Sequence, residues 1–391
     1  MNNSITNNEK YFEEIKSIEN IYTRFSKKSP LLFPKPINLQ EEKKMFFSML
    51  KKNEVYNPQL IYEKPKFSLD DVEVFREEIN NISLDDDVYN LKRLYKEKLL
   101  GRFLQVGYHE FWGTEKSCEY ALKYWKKPSL ILLLKAKKIC NKYINELEKN
   151  NNINNNSEKI KKSKNVSLEF CAEELRKEVK RLTGDEIKIK FENINAKVNI
   201  EPSEKLIQIN KNVQFTSLDV ERLKVHEVGV HYMRYYNGLK CAIKLFETGT
   251  ENYLETEEGL AAYNEYDKGV LSEHQMFVYA GRVIATYYCI SKSFYEIFKI
   301  LKKYKFDDND CFAITFRAKR NLCDTSLKGG FSKDYVYLKG FEKVKKFAKS
   351  NDINKLFIGK VSIENLKLID EFINENYDNI QSPFKKISMI K

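Results

Sequence analysis

The sequence predicts a helix-dominated α+β fold in which a small sheet lies beside one helix. Apolar residues recur at helical spacing along most of the 391 residues, with breaks rich in Pro, Gly and Asn. Alternating runs typical of strands occur at 187–191, 196–200 and 206–209, all in one stretch. Because 42% of the residues are hydrophobic and 32% are charged, the composition is that of an ordinary globular protein.

Capping residues and chain breaks set the expected helix boundaries. Ser68 and Thr216 stand ahead of acidic residues, as N-caps do, and Ser83 is expected to cap the next long helix. Thr256 is expected to begin the helix that carries Glu257 and Glu258. Further helices are predicted at 9–28, 40–53, 88–106, 117–126, 128–148, 167–182, 272–303, 332–349 and 362–376.

Composition divides the chain into four predicted regions. These are an N-terminal helical region 1–149, a polar linker 150–165, a central region 166–349 and a C-terminal helical tail 350–391. The linker is rich in Asn and Lys and has little to bury, which indicates a flexible segment. A nucleic-acid-binding arm is the alternative, although no aromatic residues are interleaved with its lysines.

Composition also excludes several classes of protein. The N-terminus is polar and resembles no secretory signal, and the apolar run 130–134 is too short to span a bilayer. The seven cysteines are scattered and contain no CxxC, as expected of reduced thiols in a cytoplasmic protein. The net charge of +12 favours an anionic partner, unless it reflects a general bias toward lysine.

Two of the four histidines, His226 and His231, lie in the sequence HEVGVH, with Glu227 directly after the first. Two imidazoles and a carboxylate can hold a catalytic zinc ion, while a second carboxylate takes a proton from water. Glu227 suits the second task, and Glu257 or Glu258 could complete the ligand set. An amphipathic helix with two structural histidines is the alternative, and His109 and His274 are expected to be structural.

The spacing of the two histidines is unusual. On a regular helix, residues five apart point about 140° away from each other, which is too divergent for one metal ion. A π-bulge, with its i→i+5 hydrogen bond, would bring both rings to one face, and Gly229 between two valines suits such a distortion. The motif therefore predicts a locally distorted helix.

Together, HEVGVH and the segment EEGLA (257–261) resemble the motifs of the microtubule-associated tyrosine carboxypeptidase family and its bacterial QEGLA-motif relatives. The segments FRAKR (316–320) and FSKDYVYLKG (331–340) resemble two further blocks of that family. The resemblance spans most of 30–345 and leaves out the Asn-rich insert and the tail beyond about 350.

The resemblance implies a zincin-like zinc metallocarboxypeptidase. It implies that His226, His231 and Glu258 bind one Zn²⁺ per chain and that Glu227 is the catalytic base. It also implies removal of a C-terminal tyrosine, or another aromatic residue, from an acidic protein tail, with α-tubulin or microtubules as partner. The expected location is the cytoplasm, including association with the cytoskeleton, and neither a membrane nor a nucleic acid is expected as partner.

A carboxypeptidase must also bind a free C-terminal carboxylate, for which cations are the natural partners. The candidates are Arg282, Arg317, Arg320 and Lys333, which lie in or near the strongest motif blocks. Two other hypotheses stay open: a catalytically inactive basic scaffold or regulator that binds an acidic polymer such as microtubules, and a basic nucleic-acid-binding protein. Metal analysis separates them from the enzyme hypothesis.

Overall fold

The computed structural model describes residues 7–30, 33–152, 164–194 and 196–383. Within these ranges the fold is mostly helical with two small sheets, so the predicted helix-dominated α+β class is confirmed. The described residues form two compact units, 7–87 with 95–152 and 273–338, and 88–94 with 164–272 and 339–383. No described helix has the length and apolarity needed to cross a bilayer. Most of the predicted linker, 153–163, lies outside the described residues.

The first unit consists of helices around an aromatic core. Phe46 contacts the rings of Phe294, Phe298 and Phe312 at centroid distances of 4.9–5.4 Å. Its helices are Asn7–Lys28, Leu39–Lys51, Leu69–Glu73, Phe75–Asn80, Leu91–Glu110 (from residue 95 on), Glu115–Trp125, Leu130–Asn152, Glu273–Tyr288, Phe294–Lys302, Asp308–Lys319 and the 3₁₀ turn Ser332–Tyr335.

A buried histidine belongs to this unit. His109 is 2% exposed and its ring lies among the rings of Phe33, Phe67, Tyr108 and Trp112. Burial, together with nearby Arg102, lowers the pKa of His109 to about 3. The imidazole is therefore neutral at ordinary pH, in line with the structural role expected for it.

The second unit contains the sheet. Strands Lys188–Glu192 and Val198–Glu201 flank strand Leu206–Asn210, the first parallel to it and the second antiparallel. A two-residue pairing joins Asn165–Val166 to Phe215–Thr216. The helices of this unit are Leu168–Thr183, the composite helix 217–240, Lys244–Thr248, Tyr253–Asp267, Val336–Phe347 (from residue 339 on), Ile363–Leu366 and Asp370–Asn376, with 3₁₀ turns Pro202–Glu204, Ile353–Phe357 and Tyr377–Asn379.

The sheet packs against two helices, and this packing positions the histidine motif. Ile207 and Ile209 of the central strand are fully buried against Leu175 of helix Leu168–Thr183 and against Val228 and Tyr232 of the composite helix. All three predicted strands are confirmed, within one or two residues of the expected boundaries.

The helices predicted near 272–303 are present as Glu273–Tyr288 and Phe294–Lys302, and Ser293 caps the second through a hydrogen bond from the N–H of Glu296. Other helix predictions need correction. The segment after Ser83 is not helical until Leu91. Residues 362–376 form two short helices, and 332–335 are a 3₁₀ turn before Val336–Phe347. The sequence did not predict helix Asp308–Lys319.

Candidate metal centre

The composite helix 217–240, here called the histidine helix, begins at the cap predicted from the sequence. The Oγ1 of Thr216 accepts a hydrogen bond from the N–H of Asp219, whose carboxylate accepts one from the N–H of Thr216. After about two turns of α-helix, residues Lys224–Tyr232 form a π-helix, and the α-helix resumes at Met233.

The π-helix resolves the spacing of the two histidines. The N–H of Met233 bonds to the carbonyl of Val228, five residues back. His226 and His231 consequently face each other, with ring centroids 5.0 Å apart and planes at 62°. The predicted i→i+5 distortion is confirmed, although it extends over nine residues and is more than a single bulge.

A second helix, Tyr253–Asp267, here called the glutamate helix, packs directly on the π-helix. Asn264 donates from Nδ2 to the carbonyl oxygen of Val225 over 2.9 Å. A Cβ atom at Gly229 would lie 3.1 Å from that amide nitrogen, which is tighter than almost all real Cβ contacts. The absence of a side chain at Gly229 therefore lets the two helices approach at the level of the histidines.

The glutamate helix brings Glu258 to the histidines. His226, His231 and Glu258 each offer one ligand atom, and these atoms lie within 4.8 Å of one another. The Nε2 of His226 and Oε2 of Glu258 are 3.8 Å apart, whereas two ligands bound to one tetrahedral zinc ion are separated by about 3.4 Å. Two imidazoles and a carboxylate at this separation fit one zinc ion.

The start of the glutamate helix differs from the prediction. It begins at Tyr253, three residues before Thr256, so Glu258 lies in its second turn and not among the first-turn acids. The Oγ1 of Thr256 accepts a hydrogen bond from the N–H of Ile363 and caps no helix. Glu258 therefore does not lie in the first turn, where an acidic residue stabilises the helix dipole.

Two buried carboxylates hold the other side of each imidazole. The Nδ1 of His226 lies 2.6 Å from Oε1 of Glu265, and the Nδ1 of His231 lies 3.0 Å from Oε1 of Glu257. Sequence reasoning missed both contacts. A signal was present, since Glu258 and Glu265 are seven residues apart and lie about 20° apart around a helix.

A buried arginine links this site to the C-terminal region. Arg234, which is fully buried, pairs with Glu257 and donates from Nε to the carbonyl of Leu356 over 2.9 Å and from Nη2 to that of Val361. Burial alone would raise the pKa of Glu257, but Arg234 and the more distant Lys360 lower it to about 2. The carboxylate is therefore ionised throughout the physiological range.

Glu227 and Glu258 act, together with Glu257, on the imidazole of His231. Burial alone would lower the pKa of His231, but Glu257, Glu227 and Glu258 raise it to about 9. Glu227 is half-buried, and within the described ranges no hydrogen bond or ion pair engages its carboxylate. A carboxylate that is not held by a hydrogen bond or an ion pair can accept a proton from water.

The four predicted carboxylate-binding cations all lie in the first unit. Arg317 pairs with the buried Asp334, whose Oδ1 is 3.5 Å from Nη2 of Arg320. The guanidinium of Arg282 lies over the ring of Tyr337 at 4.5 Å. Although burial opposes ionisation, Arg317, Arg320 and Arg282 hold the pKa of Asp334 far below its usual value. The three arginines thus surround one acidic residue.

The fourth cation, Lys333, lies over the ring of Phe33 at 4.5 Å, and Arg320 lies over the same ring at 5.3 Å. All four cations therefore have protein contacts of their own. Their assignment to substrate binding stays a prediction.

Fold and site together define a helix-dominated α+β protein in which a π-helix aligns two histidines with a carboxylate from a second helix. The family model described as microtubule-associated tyrosine carboxypeptidase matches residues 45–383, and the chain belongs to that family. The match includes most of the tail beyond 350, which the motif comparison had left outside.

Curated relatives carry the same description. The chain is 35% identical to microtubule-associated tyrosine carboxypeptidase 1 of Rattus norvegicus over 158 residues and to that of Homo sapiens over 156 residues. Each match covers 38% of this chain and 32% of the relative, so the chain matches about a third of the relatives' length. A crystal structure from Colwellia psychrerythraea matches 79% of this chain, and the match covers 66% of that structure's chain. Its sequence identity is 13% and its TM-score is 0.46, which is too low to establish a shared fold.

Proposed function

We propose that this chain is a zinc-dependent metallocarboxypeptidase that removes a C-terminal tyrosine, or another aromatic residue, from an acidic protein tail. One observation carries the proposal: three ligand atoms, from His226, His231 and Glu258, converge beside Glu227, whose carboxylate has no hydrogen bond or ion pair among the described residues. The names of the curated relatives support the reaction class and the choice of tyrosine.

In the proposed mechanism His226, His231 and Glu258 would hold one zinc ion. A zinc ion so bound would supply a Lewis acid and lower the pKa of water toward 7. Glu227 takes a proton from the attacking water as its oxygen bonds to the peptide carbonyl carbon. When the C–N bond breaks, Glu227 delivers that proton to the leaving amine. The fixed imidazoles keep the site in one geometry through the cycle.

The sheet offers a place for the substrate backbone. Strand Val198–Glu201 is an edge strand of the sheet and contacts the π-helix that carries both histidines. An extended peptide can pair with such an edge through backbone hydrogen bonds, as in the strand addition expected of a zincin-like site. The net charge of +12 would attract an acidic tail toward the protein.

We propose α-tubulin, in or out of microtubules, as the substrate, and the cytoplasm or cytoskeleton as the location. The relatives are named for microtubules, and the net charge of +12 supports the choice of an acidic tail. The cation that binds the terminal carboxylate is proposed to be one of Arg282, Arg317, Arg320 or Lys333.

The test combines metal analysis with peptide cleavage. We expect one zinc per purified chain and loss of only the last residue from an acidic peptide ending in tyrosine, followed by mass spectrometry. Amidating the C-terminus of the same peptide removes its terminal charge and should abolish cleavage. Cleavage inside the amidated peptide would instead indicate an endopeptidase.

The same experiment tests the alternatives. A protein without zinc that cleaves nothing but binds the acidic peptide would be a scaffold. Salt-sensitive affinity for DNA or RNA without zinc would indicate a nucleic-acid-binding protein.

A further inference from the structure

We propose that Glu265 is a positioning residue whose buried charge is balanced by the bound metal ion, whereas the charge of Glu257 is balanced by the protein itself. The inference rests on the proposed zinc site. It goes beyond it by giving the two carboxylates behind the histidines different physical roles.

The geometry gives both carboxylates the same orienting contact. A carboxylate oxygen can only accept a hydrogen bond, so at 2.6 Å and 3.0 Å the Nδ1 atoms of His226 and His231 must each carry the hydrogen. A neutral ring with a hydrogen on Nδ1 presents the lone pair of Nε2. Glu265 and Glu257 therefore fix both rings with Nε2 available to a metal ion.

The charge around Glu257 is already balanced. Arg234 is 0% exposed and pairs directly with Glu257, and the ammonium of Lys360 lies 3.9 Å from the same carboxylate. A neutral residue at position 257 would leave the guanidinium of Arg234 buried without its counter-ion. Such an unpaired buried charge is strongly destabilising whether or not metal is present.

Among the described residues, no lysine or arginine pairs with Glu265. Its side chain is 0% exposed, and its Oε2 atom has no hydrogen-bond partner in the described part of the chain. Within the described residues, its one ion-pair partner is His226, itself a predicted metal ligand. A buried carboxylate without a cation is costly, and a divalent ion held by His226 is the positive charge that this position can gain.

The two carboxylates should therefore respond differently to neutralisation. Glu265→Gln keeps an amide oxygen that can accept from Nδ1 but removes the unbalanced charge, so the metal-free protein should melt at the same temperature or higher. Its zinc affinity should fall 10- to 100-fold, the usual effect of losing such a carboxylate. Glu257→Gln should lower the melting temperature of the metal-free protein.

The experiment measures two quantities on the full chain: the zinc dissociation constant, by competition with a chromophoric chelator, and the melting temperature with and without zinc. Weaker zinc binding by Glu265→Gln without a loss of metal-free stability supports the inference. Unchanged zinc affinity overturns it, and so does a metal-free melting temperature well below that of the unsubstituted protein, because that would indicate a structural role alone.

Two controls separate this inference from the proposed function. Glu258→Gln removes a direct ligand and should weaken zinc binding more than Glu265→Gln does. If the unsubstituted protein binds no zinc, the proposed function fails. If it binds zinc and Glu265→Gln binds equally well, only the present inference fails.

Discussion

Substituting Gly259 with alanine should disturb the metal centre without touching any predicted ligand. Gly259 follows Glu258 on the glutamate helix and lies against Gly340 of helix Val336–Phe347. A Cβ atom at position 259 would be 2.2 Å from the carbonyl carbon of Gly340 and 2.4 Å from its oxygen. Because both atoms belong to the backbone, no side-chain rotation can relieve the clash.

The size of the effect follows from these distances. Ordinary Cβ contacts begin at 3.4 Å, so the two helices would have to separate by about 1 Å. Overpacking of this kind typically costs about 1–3 kcal/mol of stability. Metal–ligand distances tolerate only about ±0.2 Å. Since Glu258 moves with its helix, we expect Gly259→Ala to weaken zinc binding at least about tenfold.

Urea unfolding and chelator competition measure the two effects. Gly269→Ala is the matched control, because a Cβ there meets nothing within 4 Å and only the φ of +68° is unfavourable. The control should lose about 1–2 kcal/mol of stability and keep its zinc affinity. If Gly259→Ala matches the unsubstituted protein in both stability and zinc affinity, the proposed helix contact does not position Glu258.

Three further predictions concern catalysis, pH and salt. Glu227→Gln should retain fold and zinc yet cleave the tyrosine-ended peptide about 10²-fold more slowly or worse, and retained activity in the zinc-loaded variant would mean that another base acts. The folded pKa of His109, about 3, lies below its unfolded value near 6.5, so its contribution to stability is present above pH 6.5 and is lost as pH falls. Between pH 7 and 5 this lowers the free energy of unfolding by about 2 kcal/mol. In His109→Phe that part of the pH dependence should be absent from the free energy measured by urea unfolding. The same pH dependence in both proteins would contradict the neutral, buried state of His109. Raising the salt concentration should weaken binding of the acidic peptide without changing which bond is cut, and salt-independent binding would exclude electrostatic steering.

Local patterns in the sequence were enough to predict the sheet and the distorted helix. The three strands alternate over short runs, and the five-residue spacing of His226 and His231 can serve one ion only if the helix widens. Both patterns involve only residues that are close together in the sequence. The convergence of Glu258 on the histidines agrees with the family resemblance, which supplied that residue.

Features that depend on tertiary packing were not predictable in this way. Thr256 looks like an N-cap, but its hydroxyl bonds to the N–H of Ile363, more than a hundred residues away. The charge on Glu257 is stabilised by Arg234 and Lys360, which no motif connects to it. Glu265 lies on the same helix face as Glu258, but its burial becomes clear only once the two helices are packed.

The hydrogen bonds of Arg234 set a limit on how much of the chain can be removed. All three predicted metal ligands precede residue 259, and a chain that ends at the sequence-based boundary of 349 would retain all of them. Yet Arg234 depends on the carbonyl oxygens of Leu356 and Val361. A truncation at 349 would remove both acceptors from the guanidinium of Arg234, which pairs with Glu257 next to His231. A shortened chain that keeps the surroundings of the predicted metal centre must therefore extend beyond Val361.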